Sequence, residues 1–223
     1  MADENGLILR DLTVSISGET LFPPLSLRVR PGEVVAVTGK SGVGKSTLLS
    51  AICGTLDLRF AIRGDILVDG RSVIGVAAEN RHVGILFQDD LLFPHMTVGD
   101  NLGFGLPPGL GRSERRLRIC EALAEAELEG FENRDPATLS GGQRARIGCL
   151  RALLAQPSAL LLDEPFSALD PDSRARFRQF VFQMTGRRGL PVLLVTHDVG
   201  DLENLGARAR ALSLDMRQNG VSG

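Results

Sequence analysis

One short stretch of the chain has the residue types and spacing of a loop that holds phosphate groups. The segment Gly39-Lys-Ser-Gly-Val-Gly-Lys-Ser46 matches the pattern G-x-x-x-x-G-K-[ST]. Its glycines let backbone N–H groups close around phosphate oxygens, and the positive end of a following helix adds to the attraction. We expect Lys45 to reach the β- and γ-phosphates of a nucleotide and the Ser46 hydroxyl to ligate Mg²⁺. An ordinary glycine-rich turn is disfavoured, because an apolar strand precedes the motif and a helical pattern follows it.

A pair of adjacent carboxylates, Asp163 and Glu164, follows the apolar run LLL at 160–162. The carboxyl ends of buried strands are where α/β sheets bind their ligands. We expect Asp163 to hold Mg²⁺ through water and Glu164 to polarise an attacking water. The alternative, a pair of helix N-caps before Pro165, is disfavoured by the phosphate loop upstream.

A second glycine-bearing turn, LSGGQ at 139–143, precedes an amphipathic helical pattern. Ser140, Gly141 and Gly142 offer another set of N–H donors to an anion. One nucleotide does not need two such cradles. The second turn is explained if it serves a nucleotide held by another copy of the chain.

The elements that must position these residues alternate between strand and helix. Short apolar runs at 33–37, 159–162 and 192–195 are typical of parallel strands buried on both faces. Near the start, LILRDLTVSI and LSLRVR alternate apolar and polar residues, which predicts a small antiparallel sheet. This alternation indicates an α/β fold.

Helical patterns fill the remaining segments and set the domain organisation. They predict helices over 46–53, 113–128 and 145–155 and a fourth one capped by Asp172. The inward faces are predicted to carry Leu117, Cys120, Ala124 and Leu128 in the second helix, Ile147, Leu150 and Leu154 in the third, and Phe177, Val181 and Met184 in the fourth. Helical signals dominate between 88 and 157. We therefore expect one domain over 1–223, with a core at 1–87 and 158–223 and an inserted helical subdomain at 88–157.

Composition excludes several classes of protein. The chain has 223 residues, 43% of them hydrophobic, and a net charge of −2, which gives no electrostatic footprint for nucleic acid. Its longest apolar runs are far too short to span a membrane, and the acidic N-terminus lacks a signal-peptide core. The cysteines at 53, 120 and 149 have no metal spacing, so we expect reduced thiols packed in the interior of a cytosolic protein.

Six ordered motifs make the chain resemble the ATP-binding subunits of ABC transporters almost from end to end. They are GKSGVGKST, Gln88 in ILFQDDLLF, LSGGQ, LLLDEP, SALD at 167–170 and His197 in VLLVTHD. The resemblance implies a P-loop NTPase (RecA-like) core, an antiparallel β subdomain and an inserted α-helical subdomain. It also implies ATP and Mg²⁺ as ligands and a peripheral location on the cytoplasmic face of the inner membrane.

The same resemblance implies a dimer that holds two ATP molecules head to tail. The residues expected to bind ATP in one subunit are Gly39, Lys40, Ser41, Gly42, Val43, Gly44, Lys45, Ser46 and Thr47. Those expected to reach it from the opposite subunit are Ser140, Gly141, Gly142, Gln143 and Asp170. Glu164 is implied to be the general base, His197 to touch the γ-phosphate, and Gln88 to contact the attacking water. Mg²⁺ is implied to lie between Ser46, Gln88 and Asp163.

Partners follow from the resemblance as well. The segment from Gln88 to Leu106 includes Leu91, Leu92, Phe93 and Met96, and in the family this region receives a cytoplasmic helix of a transmembrane permease subunit; the alternative is ordinary loop packing. LFPHMTVGDNL is typical of importers, which implies a solute-binding protein outside the membrane and no nucleic-acid partner. ILFQDDLLF and DPATLSGGQRAR resemble the YnjD-type group, to which thiamine import is ascribed, so thiamine or an inorganic ion is the expected cargo. Little sequence follows His197, and we expect no further regulatory domain.

Two other functions remain open on the sequence alone. One is a soluble ABC-type ATPase that acts on ribosomes or DNA, although no second cassette, long coiled coil or basic surface supports it. The other is a non-catalytic nucleotide-binding clamp, which the presence of Glu164 and His197 argues against.

The chain departs from the family where the adenine base is held. Most relatives stack the base on an aromatic residue about two dozen positions before the phosphate loop, where this chain has Ile16, Ser17 and Gly18. It has no Tyr or Trp, and Phe22 is predicted to lie on a strand. Stacking on a base contributes about 1–3 kcal/mol. We therefore expect weak nucleotide affinity and loose base selection.

Overall fold

The computed structural model describes residues 4–88, 92–203, 205 and 208–214 of the chain. In chain order the strands and helices of this part are β1 (Leu7–Ile16), β2 (Glu19–Thr20), β3 (Leu25–Val29), β4 (Val34–Thr38), α1 (Lys45–Cys53), β5 (Phe60–Val68), β6 (Arg71–Ser72), β7 (Val83–Leu86), α2 (Val98–Gly105), α3 (Arg112–Glu125), α4 (Gly141–Leu154), β8 (Ala159–Asp163), α5 (Pro171–Arg187), β9 (Val192–Val195) and β10 (Ala209–Ser213). Two sheets organise these elements, and the α/β fold expected from the sequence is confirmed.

The parallel sheet has the strand order β10-β4-β9-β8-β7. Its three central strands, β4, β9 and β8, are the apolar runs that the sequence predicts as parallel strands. Nearly all of their residues are buried because both faces of the sheet are covered. All five strands point the same way, so their carboxyl ends meet along one edge.

The two faces of the parallel sheet belong to two different cores. Successive side chains of a strand point to opposite faces. Leu160 and Leu162 pack with α2, α3, α4 and α5, whereas Leu161 packs with α1 and the antiparallel sheet. The sheet is therefore held between helices on one side and a helix with a second sheet on the other.

The antiparallel sheet has the order β2-β1-β5-β6, with β3 also paired to β1. β1 and β3 are the alternating segments near the start of the chain, and their antiparallel pairing is confirmed. Leu7, Leu9 and Val14 of β1 are fully or almost fully buried in the core shared with α1.

Two of the helix predictions are wrong in detail. In α3 the buried residues are Ala122 and Leu123, whereas Leu117 is 57% exposed and Cys120 lies at the surface. Ala122 and Leu123 instead join the core that contains α4. Of the predicted stripe only Leu128, which follows α3, is buried, and Ala124 is exposed as well.

The start of α5 also differs from the prediction. Asp170, not Asp172, caps the helix, because its carboxylate accepts a hydrogen bond from the Ser173 N–H at 3.0 Å. Pro171 occupies the first helical position, where its missing N–H costs nothing. The predicted inward residues Phe177, Val181 and Met184 are buried.

Candidate functional site

The phosphate loop connects β4 to α1 at the carboxyl edge of the parallel sheet. Gly44 precedes α1 with a φ of 100°, a left-handed conformation that glycine adopts without strain. A Cβ atom at this position would lie 3.1 Å from Cδ1 of Phe22. The loop therefore needs glycine both for its backbone conformation and for its close contact with the aromatic ring.

Phe22 is not available to stack on a base. Its side chain is fully buried beneath Gly44, in a bend after β2 and not on a strand as predicted from the sequence. Ile16 is the last residue of β1, Ser17 and Gly18 form the turn to β2, and the chain has no Tyr or Trp. The described residues thus offer no aromatic ring at the position where most relatives hold adenine.

Lys45 lies at the first position of α1 and is buried. Its Nζ donates hydrogen bonds to the carbonyl oxygens of Gly39 at 2.9 Å and Lys40 at 3.1 Å. The ammonium group therefore lies within the curve of the loop, where it can exchange these carbonyls for phosphate oxygens.

Asp163 ends β8 and faces the same loop. The Ser46 hydroxyl donates to its Oδ1 at 3.4 Å. Burial raises the pKa of the Asp163 carboxyl, the Glu164 carboxylate acts in the same direction, and the Ser46 hydrogen bond opposes both. A half-buried carboxylate next to another negative charge is a site that attracts a cation.

Glu164 has an unusual backbone that directs its carboxylate. Its φ is +46°, a conformation that costs a non-glycine residue of order 1 kcal/mol or more. Two bonds hold it there: its N–H donates to the Val195 carbonyl at 2.9 Å, and its own carbonyl accepts from the Ser167 hydroxyl at 2.8 Å. With the backbone fixed in this way, Oε2 of Glu164 lies 3.2 Å from Nδ1 of His197.

His197 and Gln88 follow two further strands of the same sheet. His197 comes two residues after β9, and 60% of its side chain is exposed beside Glu164. Gln88 is exposed two residues after β7. Residues following β4, β7, β8 and β9 thus lie along one carboxyl edge, as the site predicted from the sequence requires.

The second predicted cradle lies at the start of α4. Ser140 caps α4 in a capping box: its hydroxyl accepts from the Gln143 N–H at 3.3 Å, and Oε1 of Gln143 accepts from the Ser140 N–H at 2.9 Å. A Cβ atom on Gly142 would lie 3.6 Å from Cβ of Ser173 in the first turn of α5. The LSGGQ turn and the helix that Asp170 caps are therefore neighbours, and a cavity of about 300 Å³ lies beside them.

An ion-pair network next to His197 is not evident from the sequence. Arg174 of α5 donates to Asp198 at 2.9 Å and to Asp201 at 2.7 Å. Asp201 is almost completely buried and accepts a hydrogen bond from the Thr196 hydroxyl at 2.6 Å. The only sequence signal for this network is the pair of aspartates, spaced by three residues, that follows the last buried strand run.

An apolar cleft lies beside β7 and α2. Phe104 is 67% exposed and contacts Phe93 edge to face, with ring centroids 4.9 Å apart. The Arg151 guanidinium lies 5.2 Å from the centre of the Phe93 ring, and Phe87 lines the same cavity of about 290 Å³. Asn101 is fully buried and bonds both the N–H and the carbonyl of Phe93. Leu91, which the sequence also assigned to this surface, lies outside the described residues.

No helix in residues 4–88, 92–203, 205 and 208–214 is long and apolar enough to span a membrane. The same residues contain no group of three or more His, Cys, Asp or Glu side chains arranged to hold a metal ion.

Known proteins that resemble this chain include transporter subunits. A family model described as ABC transporter matches residues 22–167. The uncharacterized ABC transporter ATP-binding protein YnjD of Escherichia coli K12 is 43% identical over 212 residues, which are 95% of each chain. The Fe(3+) ions import ATP-binding protein FbpC 1 of Haemophilus influenzae is 39% identical over 89% of this chain, which spans only 60% of that relative's length.

A solved structure supports the same assignment. CbiO1 of Clostridium perfringens, described as part of the ABC transporter complex CbiONQ, superposes with a TM-score of 0.78. The two chains are 29% identical, and the match covers 89% of this chain and 81% of CbiO1. These similarities agree with the phosphate loop, with the carboxylates at the end of β8 and with the overall fold. The chain belongs to the ABC transporter family as an ATP-binding subunit, an ATPase coupled to transport.

Proposed function

We propose that this chain energises a membrane transporter by hydrolysing ATP in a head-to-tail dimer. The observation that carries the proposal is the meeting of Glu164 with His197 at the edge where Asp163 meets Ser46 of the phosphate loop. The second surface, at Ser140 to Gln143 and Asp170, has no role toward the nucleotide of its own subunit in this scheme. It would close over the nucleotide held by the other copy.

The residues present fit Mg²⁺. This ion prefers oxygen ligands and is usually held by one or two carboxylates together with substrate phosphates. The Ser46 hydroxyl and the Asp163 carboxylate, 3.4 Å apart, supply such oxygens next to the phosphate loop, and the amide oxygen of Gln88 is the third candidate ligand. When bound, the ion would neutralise charge on the phosphate oxygens.

The protein groups divide the chemistry among them. The phosphate loop, Gly39 to Thr47, would bind the phosphates through its N–H groups, and the Lys45 ammonium would leave its loop carbonyls for them. Glu164 would accept a proton from the attacking water, with Gln88 orienting that water. His197 would donate to the γ-phosphate, and its contact with Glu164 keeps both groups at the same phosphate.

We further propose that the apolar cleft receives a segment of a permease subunit. Exposed aromatic rings beside a cavity are typical of protein interaction sites. The cleft lies in the helical subdomain assigned to 88–157 and at its border with the core assigned to 1–87 and 158–223. This arrangement would let ATP-driven closure move a partner in the membrane, with the chain bound to the cytoplasmic face.

Import of a small solute is the direction we propose, with a solute-binding protein in the same system. The FbpC 1 relative is named for Fe(3+) ions, which supports an inorganic ion as cargo. Thiamine, expected from the motifs ILFQDDLLF and DPATLSGGQRAR, is the other candidate. Transport assays with each of the two cargoes distinguish them.

Base selection should be loose. With Phe22 buried under Gly44, nearly all of the binding energy would come from the phosphates. We expect ATP and GTP to be hydrolysed with kcat/KM values within about threefold of each other, because the stacking contribution of about 1–3 kcal/mol is missing. Strong preference for ATP with low-micromolar affinity would contradict this proposal.

The test of hydrolysis combines phosphate release with light scattering. The unaltered chain should turn over, whereas Glu164→Gln should bind ATP, lose at least about a hundredfold in kcat and accumulate as a dimer. Glu79→Gln, at an exposed position before the amino end of β7, is the matched control and should behave like the unaltered chain. Full-speed turnover by a strictly monomeric preparation would refute the dimer mechanism.

The test of docking uses membranes from cells that contain the whole transporter. Phe104→Asp should release the chain into the soluble fraction while ATP binding stays unchanged. Leu58→Asp, in the loop between α1 and β5 where Leu58 is fully exposed, places the same charge on a different exposed apolar residue and should stay with the membranes. Equal retention of both variants would remove the cleft from the proposal.

A further inference from the structure

Arg174 connects helix α5 to the segment that carries His197. It lies one helical turn after Asp170, to whose carbonyl its N–H donates at 2.8 Å. Its guanidinium group makes a forked contact with Asp201, from Nε at 3.2 Å and from an η nitrogen at 2.7 Å. The same η nitrogen donates to Asp198 at 2.9 Å. One side chain of α5 thus holds two carboxylates of the segment after β9.

Asp201 also connects Arg174 to Thr196, the residue that precedes His197. Its second oxygen accepts the Thr196 hydroxyl at 2.6 Å, and the oxygen of that hydroxyl accepts the Asp198 N–H at 3.0 Å. Thr196 and Asp198 are the two chain neighbours of His197. Both are therefore fixed, through Asp201 or directly, by Arg174.

Burial makes this network more than a surface ion pair. Asp201 and Thr196 are almost completely buried, so their hydrogen bonds are poorly screened by water. His197, by contrast, is mostly exposed, and its ring contacts Glu164. Because the His197 side chain is mostly exposed, its orientation depends on how Thr196 and Asp198 hold the backbone on either side of it.

We propose that Arg174 is a positioning residue that acts through Asp201 and Thr196 to hold the His197 ring at the reacting phosphate. The proposal rests on the role proposed above for His197. Helix α5 would then have two roles. Asp170 at its start would reach the nucleotide of the other subunit, and Arg174 would orient His197 of its own subunit.

The experiment compares Arg174→Met, Arg174→Lys and Asp201→Asn with a matched control. Arg188→Met removes an ion-paired arginine from the far end of α5, where it bonds Glu125 at 2.7 Å. Each variant is assayed for ATP turnover and for ATP binding, and the binding assay shows whether the protein is folded.

We expect Arg174→Met to lower kcat about tenfold while KM and the ATP dissociation constant stay within about twofold of the unaltered values. Arg174→Lys should recover part of the loss, since an ammonium group keeps the charge but not the fork. The double variant Arg174→Met/Asp201→Asn should be no slower than the worse single variant, because both residues act in one network. Arg188→Met should stay within about twofold.

Imidazole NMR signals give a readout that a purely structural role would not change. The chain has three histidines, and the His197 signal is identified by its absence in His197→Ala. In Arg174→Met this signal should shift or broaden, while those of His82 and His95 stay in place. Absence of turnover in the unaltered chain would count against the proposed function itself. A fully active Arg174→Met with an unchanged His197 signal would overturn the positioning role alone.

Discussion

Replacing Arg81 by methionine should destabilise the fold through the helix that begins at the phosphate loop. Arg81 is 6% exposed, and its η nitrogen donates to the carbonyls of Ala51 at 2.8 Å and Ile52 at 3.0 Å, in the last turn of α1. Its Nε donates to the Val76 carbonyl at 2.8 Å. The guanidinium group thus satisfies carbonyls at the negative end of α1, where a cation is also favoured by the helix dipole.

The size of the effect follows from these three bonds. Two buried carbonyls, of Ala51 and Ile52, and one part-buried carbonyl, of Val76, lose their donor. At about 1–1.5 kcal/mol each, the loss is about 4 kcal/mol. Burial lowers the pKa of Arg81, so removing its charge returns part of this loss. The net loss is about 3 kcal/mol, which for a chain of this size lowers Tm by about 6–12 °C.

Thermal unfolding followed by circular dichroism measures this change. Arg59→Met is the control, because Arg59 is exposed and its carboxylate partner Asp57 is only two residues away. Its Tm should stay within about 1 °C of the unaltered value. If Arg81→Met unfolds within about 2 °C of the unaltered protein, the carbonyl bonds do not stabilise α1 and the reasoning is wrong.

Two further predictions concern thiols and glycines. Burial raises the pKa of Cys53 to about 11 and of Cys149 to about 12, whereas Cys120 is exposed. A thiol reagent at pH 8 should therefore titrate one group rapidly in the native protein and three after denaturation; two fast groups would contradict the burial. Gly105→Ala should lower the free energy of unfolding by about 1–3 kcal/mol in urea titrations, because its Cβ would overlap a backbone carbonyl of α4. Gly186→Ala, in α5 with open space around it, is the control and should raise that energy by about 0.5–1 kcal/mol.

The features predicted best from the sequence are those whose signals lie within one short segment. β4, β8 and β9 are apolar except at the last residues of β4 and β8, because both faces of the sheet are covered, so each strand can be recognised from its own segment. The phosphate loop was equally readable, since its spacing, the strand before it and the helix after it all lie within a few residues.

The wrong predictions concern which face of a helix is buried, and this depends on tertiary packing. The sequence of α3 has two possible apolar faces, and the one with Ala122 and Leu123 packs in the core with α4 while Leu117 is exposed. Because this face of α3 is buried, Cys120 lies at the surface, although the sequence predicted an interior thiol.

The long-range contacts of two arginines were not predicted, in contrast to the pair Ser46 and Asp163, which belong to recognisable motifs. Arg81 and Arg174 each bond to groups more than twenty residues away, and neither arginine lies in a motif that indicates its partner. The roles of the LSGGQ turn and of Asp170 toward a second subunit stay predictions, and so does the role of Gln88 toward Mg²⁺ and the attacking water.

The contact between Phe22 and Gly44 restricts which chimeric proteins can be made from this chain. The ring belongs to the connection between β2 and β3, and the glycine belongs to the turn before α1. A chimera that exchanges the first thirty or so residues with those of a relative would also exchange the support on which the nucleotide loop rests. Such hybrids should work only when the donor brings an aromatic side chain of matching size to that bend, whatever residue it carries at the base-stacking position.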